Sequence, residues 1–106
     1  MSNQESFQSP DAIRLVDRIR ELRRTKNFTE ADDVGEVAVC KHPNDLLLLA
    51  EHAETAVRRK SWGPAIKRYK RIIQLAKRSP GQDDAVIRLV AVYVTLGQPA
   101  EGLSLL

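Results

Sequence analysis

The chain contains a single cysteine, few aromatic residues and no long hydrophobic run. Cys40 on its own cannot form an intramolecular disulfide, and residues 1–10 are polar, unlike a secretory leader with its basic start and apolar continuation. The longest apolar runs, at 46–50 and 89–94, fall far short of the roughly 20 residues that cross a bilayer. The sequence therefore predicts a cytoplasmic protein that does not insert into a membrane.

A length of 106 residues corresponds to one domain, and a composition of 42% hydrophobic and 29% charged residues is typical of a chain that folds. The formal net charge is +3, but it is unevenly spread. Residues 1–45 carry seven Lys/Arg against nine Asp/Glu, whereas residues 46–106 carry ten against five. The basic second half fits either an anionic partner or a solvated basic face.

Six helix-forming segments follow a flexible polar lead over residues 1–8. The first starts at Ser9-Pro10-Asp11, where a hydroxyl cap, a proline and an acid suit the first turn of a helix. The second is ambiguous, because Gly35 lies in its middle and residues 37–39 also fit an extended chain. The pattern predicts an all-α domain over residues 9–106, with helices at 10–26, 29–41, 45–60, 62–78 and 83–96 and a sixth beginning at Pro99.

Similar residues recur 34 positions apart along the chain. Phe28 corresponds to Trp62, and Ala31 corresponds to Ala65. A third copy follows after a three-residue insertion and aligns Ala65 with Gly102. A repeat of this length indicates stacked helix pairs.

The pattern resembles the tetratricopeptide repeat (TPR) family, whose helix pairs repeat every 34 residues. Lys26 and Lys60 stand where the family has glycine, and Asp32 and Gly35 stand where it usually has larger apolar groups. The residues that match the family pattern best are Pro43, Ala65, Tyr69, Leu89, Tyr93 and Gly97. The resemblance implies antiparallel helical hairpins stacked as a right-handed solenoid, with repeats over 12–45 and 46–79 and an incomplete one over 83–106.

Residues able to carry catalysis or to bind a metal are scarce. Cys40 and His42 are close in sequence and His52 lies on a predicted helix, without a third partner at a recognisable spacing. The structural interpretation is that Cys40 is a small buried thiol and that His42 is an imidazole in a loop. Glu51 and Glu54 share a helix face, which usually indicates a solvated pair. We therefore predict no enzyme activity, no metal and no cofactor.

Stacked helix pairs form a curved surface lined by the first helix of each pair, and repeat proteins bind other chains on such surfaces. The resemblance implies a partner-binding groove that includes Arg20, Arg23, Leu47, Glu54, Asp84 and Arg88. This groove lacks the lysine and asparagine set with which some family members clamp a terminal carboxylate. The predicted function is a protein-protein interaction or assembly module that binds a protein or peptide partner.

A basic strip over residues 58–78 leaves a second function open, the binding of nucleic acid or another anionic surface. The alternative is a solvated face, since aromatic residues that stack on bases are nearly absent from the strip. The anion-binding residues of this interpretation are Lys67, Arg68, Lys70 and Arg71.

The last predicted helix is too short to complete a hairpin, and its leucines need cover. Either further chain covers them, or they pair with another copy to form a homo-oligomer. The candidate self-association residues are Leu103, Leu105 and Leu106. A further alternative, by analogy alone, is an N-terminal regulatory or oligomerisation module of a larger enzyme such as a bacterial glycosyltransferase.

Overall fold

The computed structural model describes residues 9–106, which form six α-helices and no strand. The predicted lead over residues 1–8 lies outside the described residues. None of the helices in 9–106 is long and apolar enough to span a membrane. The all-α prediction is confirmed, and the helices are α1 (Pro10–Arg24), α2 (Phe28–Lys41), α3 (Leu46–Arg58), α4 (Trp62–Leu75), α5 (Pro80–Thr95) and α6 (Pro99–Leu103).

Each helix packs against the next along the chain, as helices joined by short connections do. In addition, α3 contacts both α1 and α5, so these three helices lie side by side. One hydrophobic core forms between α1, α2 and the start of α3, and a second forms between α3, α4 and α5. The array is therefore built from consecutive helix pairs, with α3 shared by both cores.

The same turn closes each helix pair. Lys26, Lys60 and Gly97 all have a left-handed backbone, with φ of 65°, 59° and 75°. This conformation costs a lysine roughly 1–2 kcal/mol, yet it allows the 6→1 hydrogen bond of a Schellman cap. The bonds run from the amides of Asn27, Ser61 and Gln98 to the carbonyls of Leu22, Ala56 and Tyr93, at 2.7, 2.8 and 2.8 Å. The two lysines thus keep the backbone geometry that the glycine has.

The internal repeat is also visible in how the helices pack against one another. Ala31, Ala65 and Gly102, which the internal repeat aligns once the three-residue insertion is allowed for, are all buried. A Cβ added at Gly102 would lie 3.4 Å from the Cγ1 atom of Val90, so little room remains beside this position. Small residues therefore stand at equivalent points where the second helix of each pair approaches its neighbour.

The second helix is continuous through Gly35, so the extended alternative for residues 37–39 is wrong. Gly35 is buried against α3, and that packing outweighs the roughly 1 kcal/mol that glycine costs in a helix.

The predicted boundaries between α4 and α5 are wrong by three residues on each side. Helix α4 ends at Leu75 instead of Arg78, because Arg78 adopts a left-handed φ of 59°. Helix α5 begins at Pro80 instead of Asp83, since proline fits the first helical position. The side-chain amide of Gln82 donates to the carbonyl of Ile73 at 3.0 Å and so satisfies one of the exposed carbonyls at the end of α4.

Candidate functional site

An open depression of about 490 Å³ crosses α1, α3 and α5, and we call it the front groove. Residues from all three helices line it because α3 packs between the other two. The structure brings together here all six residues of the predicted partner-binding groove: Arg20, Arg23, Leu47, Glu54, Asp84 and Arg88.

Glu51 holds the first two arginines of the front groove. Its Oε2 accepts from Arg20 Nε at 2.8 Å, and its Oε1 accepts from Arg23 Nη2 at 2.7 Å. Arg23 also donates to the backbone carbonyl of Glu51 at 3.1 Å. The hydrogen bond to Glu51 raises the pKa of Arg20. Glu51 is buried, so its interpretation as half of a solvated pair is wrong, and this ion pair instead fixes α1 against α3.

Glu54 lies about one turn from Glu51 on the same helix and links α3 to α5. Its carboxylate accepts from Arg58 Nε at 3.0 Å and lies 3.5 Å from Arg88 Nη1. The Tyr69 hydroxyl on α4 donates to Glu54 Oε1 at 3.4 Å. Burial raises the pKa of Tyr69, so its hydroxyl keeps its proton and remains a donor. Arg88 in turn donates through Nε to Asp84 at 3.0 Å. A row of alternating charges therefore runs across the groove.

Three arginines of this row are more accessible than its two glutamates, whereas Arg23 is only 12% exposed and Asp84 is 60% exposed. The side chains of Arg20, Arg58 and Arg88 are 51%, 54% and 51% exposed, whereas those of Glu51 and Glu54 are 9% and 23% exposed. The groove consequently presents guanidinium groups at its rim above carboxylates that orient them. A guanidinium held in this way keeps further donors for a carboxylate of another molecule.

The predicted basic strip divides into two kinds of residue. Lys67, Lys70 and Arg71 are exposed and have no hydrogen-bond or ion-pair partner among the described residues. Arg68 instead donates to Asp32 Oδ1 at 2.7 Å and to the backbone carbonyl of His52 at 2.9 Å. The structure therefore gives Arg68 a role between helices, and three cations of the predicted set remain free for an anion.

Asp32 lies at the centre of the contacts that join α2 to α4. Burial alone would raise its pKa, but the hydrogen bond from Arg68 and the charges of Arg68, His52 and Arg59 outweigh burial and lower it. Arg59 Nη1 is 3.1 Å from Asp32 Oδ2. These contacts account for a charged residue at this partly buried position of α2.

His52 is buried between α2 and α3. Its Nε2 lies 2.7 Å from Glu36 Oε2, while its Nδ1 has no hydrogen-bond partner within residues 9–106 and lies 3.7 Å from Asp32 Oδ1. Burial lowers the pKa of His52. The sequence signal for this arrangement was Gly35, whose position in the middle of a helix marks a close approach.

Cys40 and His42, the other residues considered for catalysis, form no hydrogen bond or ion pair with His52 within residues 9–106. Cys40 is exposed, so the expectation of a buried thiol is wrong, because Gly35 and Ala38 occupy the buried side of α2. His42 Nε2 is 2.8 Å from Asp11 Oδ2, and this hydrogen bond lowers the pKa of Asp11. His42 thus joins the end of α2 to the start of α1.

The three candidate self-association residues differ in exposure. Leu103 and Leu106 are 67% and 83% exposed, whereas Leu105 is half-buried and packs against the core of α3, α4 and α5. Two further apolar side chains, Ile87 and Val94, are exposed on α5. We call Ile87, Val94, Leu103 and Leu106 the terminal apolar face.

Comparison with protein-family models, with curated proteins and with solved structures finds no match to this chain.

Proposed function

We propose that this chain is a TPR-like interaction module that binds an acidic segment of a partner protein in the front groove. The observation that carries the proposal is the convergence of the six predicted groove residues in one open depression across α1, α3 and α5. The repeated turns at Lys26, Lys60 and Gly97 support the TPR-like assignment.

An acidic partner fits the electrostatics of the groove. Arg58 and Arg88 are half-exposed, and exposed ion pairs contribute only about 0–1 kcal/mol each. A partner carboxylate can therefore share or replace their pairs at little cost, and it can share the half-exposed Arg20 without displacing the buried Glu51. Arginine binds a carboxylate through two parallel hydrogen bonds. Leu47, which is 40% exposed within the groove, adds an apolar contact.

Selection from a peptide library tests this function and requires no candidate partner. A library of random peptides is displayed on phage and selected against the full chain. The selected peptides are expected to be enriched in Asp and Glu, with an apolar residue nearby. Their binding is expected to be lost in the double variant Arg58→Glu with Arg88→Glu, which changes two half-exposed arginines of the front groove.

The matched control is Arg14→Glu with Lys70→Glu, which changes the net charge equally at exposed positions outside the groove. Retained binding by the control supports the proposal. Equal loss in both variants, or the selection of peptides without acidic residues, contradicts it.

A second candidate function, assembly with another copy of the chain, has its own support in the repeat register. Arg20 on α1 contacts Glu51 on α3. Glu54, which is equivalent to Arg20 one repeat later, contacts Arg88 on α5. The next equivalent position, Ala91, is exposed, and residues 9–106 contain no first helix of a further pair to pack beside α5. This side of α5 adjoins the terminal apolar face, and two identical apolar faces complement each other across a two-fold axis.

A further inference from the structure

A second cavity lies on the opposite side of α3 from α1 and α5, where α2 and α4 both pack on α3. We call this cavity of about 640 Å³ the rear groove. Val39, Pro43, Leu49 and Pro64 supply apolar lining. Its size lies within the range of roughly 300–1,000 Å³ that is usual for small-molecule sites.

Two unpaired cations border this apolar lining. Lys67 and Arg71 are one turn apart on α4, so they lie on the same helix face. Neither has an ion-pair or hydrogen-bond partner in the described part of the chain. Two like charges held one turn apart repel each other, and an anion placed between them removes that repulsion.

The acid of the rear groove does not neutralise these cations. Glu36 Oε2 is 2.7 Å from His52 Nε2 and 3.4 Å from Arg68 Nη2. His52 is buried, with only 3% of its surface exposed, and its Nδ1 atom has no partner within residues 9–106. The contacts from His52 and Arg68 hold Glu36 on the α2 side of the groove, so the positive charge of Lys67 and Arg71 stays available.

We propose that the rear groove binds a small amphiphilic anion. Its carboxylate or phosphate head lies between Lys67 and Arg71, and its apolar body lies on Val39, Leu49 and Pro64. The charged rim and the apolar lining together recognise a ligand that carries both features, as small-molecule sites commonly do. This site uses none of the residues of the front groove, so either proposal can fail without the other.

Titration of the full chain with octanoate and with octyl phosphate tests the site, by calorimetry and by amide chemical shifts. Saturable binding of at least one of them is expected, with shifts at residues of the rear groove, and the tighter probe identifies the head group. Neutral 1-octanol and inorganic phosphate, which each lack one feature, are expected to bind at least about tenfold more weakly.

The variant Lys67→Gln with Arg71→Gln is expected to weaken binding of the anionic probes by about tenfold or more. The matched control, Lys70→Gln with Lys77→Gln, removes the same charge from exposed positions outside the groove and is expected to bind normally. Four results would overturn the site: no saturable binding of either anionic probe, equal loss in both variants, equal binding of octanol, or equal binding of inorganic phosphate. Equal competition by a hexaglutamate peptide would overturn it too, because it would assign the surface to acidic proteins.

Discussion

The backbone of Gly35 lies directly against the imidazole ring of His52. A methyl group at Gly35 would overlap His52 Nδ1, and the ring cannot move aside because His52 is buried. The absence of a side chain at this point of α2 is therefore a packing requirement of α3.

We predict that Gly35→Ala lowers the free energy of unfolding by up to about 2 kcal/mol, because an overpacking cost of about 1–3 kcal/mol exceeds the roughly 1 kcal/mol that alanine gains in a helix. Gly63→Ala is the matched control, since a Cβ there meets nothing within 4 Å, and it is expected to be neutral or slightly stabilising. Urea unfolding measures both. A rise in stability for Gly35→Ala would show that Gly35 does not lie against the His52 ring as described.

Burial of His52 predicts a pH dependence of stability. Because burial lowers the pKa of His52 below its unfolded value of about 6.5, the unfolded chain binds a proton more readily as the pH falls. Arg68 on α4 reinforces this shift, while Asp32 and Glu36 on α2 oppose it. Stability is therefore expected to be full above about pH 6.5 and to decrease as the pH falls towards the folded-state pKa.

Unfolding free energies from about pH 7.5 to about pH 5.5 test this expectation. The variant His52→Gln is expected to have a flatter profile than the unmodified chain. Parallel profiles for the two proteins would exclude His52 as the titrating group.

Because the carboxylate of Glu51 is buried, we predict that neutralising it lowers the stability of the chain strongly. Glu51→Gln leaves Arg20 and Arg23 without their charged partner, and we expect a loss of about 2–3 kcal/mol in the free energy of unfolding. Glu21→Gln removes an exposed pair with Arg24 and is expected to cost less than about 1 kcal/mol. Similar costs for the two variants in urea unfolding would mean that Glu51 is not buried as described.

We predict that the chain self-associates through the terminal apolar face. Sedimentation across a dilution series is expected to show a dimer that dissociates at low concentration. Leu103→Glu with Leu106→Glu is expected to give a monomer, whereas Ile13→Glu with Val37→Glu, which changes two exposed apolar residues on α1 and α2, leaves the dimer intact. A monomer at all concentrations would refute assembly through this face.

The helices were predictable from the sequence because their apolar residues recur at local spacings and their caps are local. The 34-residue equivalence of Ala31 with Ala65 was also visible, since it requires only a comparison of the chain with itself. The boundary at Arg78 was not predictable, because nothing in the local pattern indicates a left-handed backbone at an arginine.

The contacts across the repeats were not predictable from the sequence. Arg68 belongs to a run of basic residues on α4, but it turns towards Asp32, which is 36 residues away. Glu51 and Glu54 look alike on one helix face, and only the packing of α1 on α3 buries the first. Pairings of this kind depend on how the helices stack, and local periodicity carries no information about them.

Mapping the amide chemical shifts of the full chain during titration with a selected acidic peptide tests whether the front groove is the partner-binding surface. We expect the largest shifts at residues of α1, α3 and α5 around Arg20, Leu47 and Arg88. Shifts confined to α2 and α4, or to the terminal apolar face, would contradict the assignment of the front groove as the partner-binding surface.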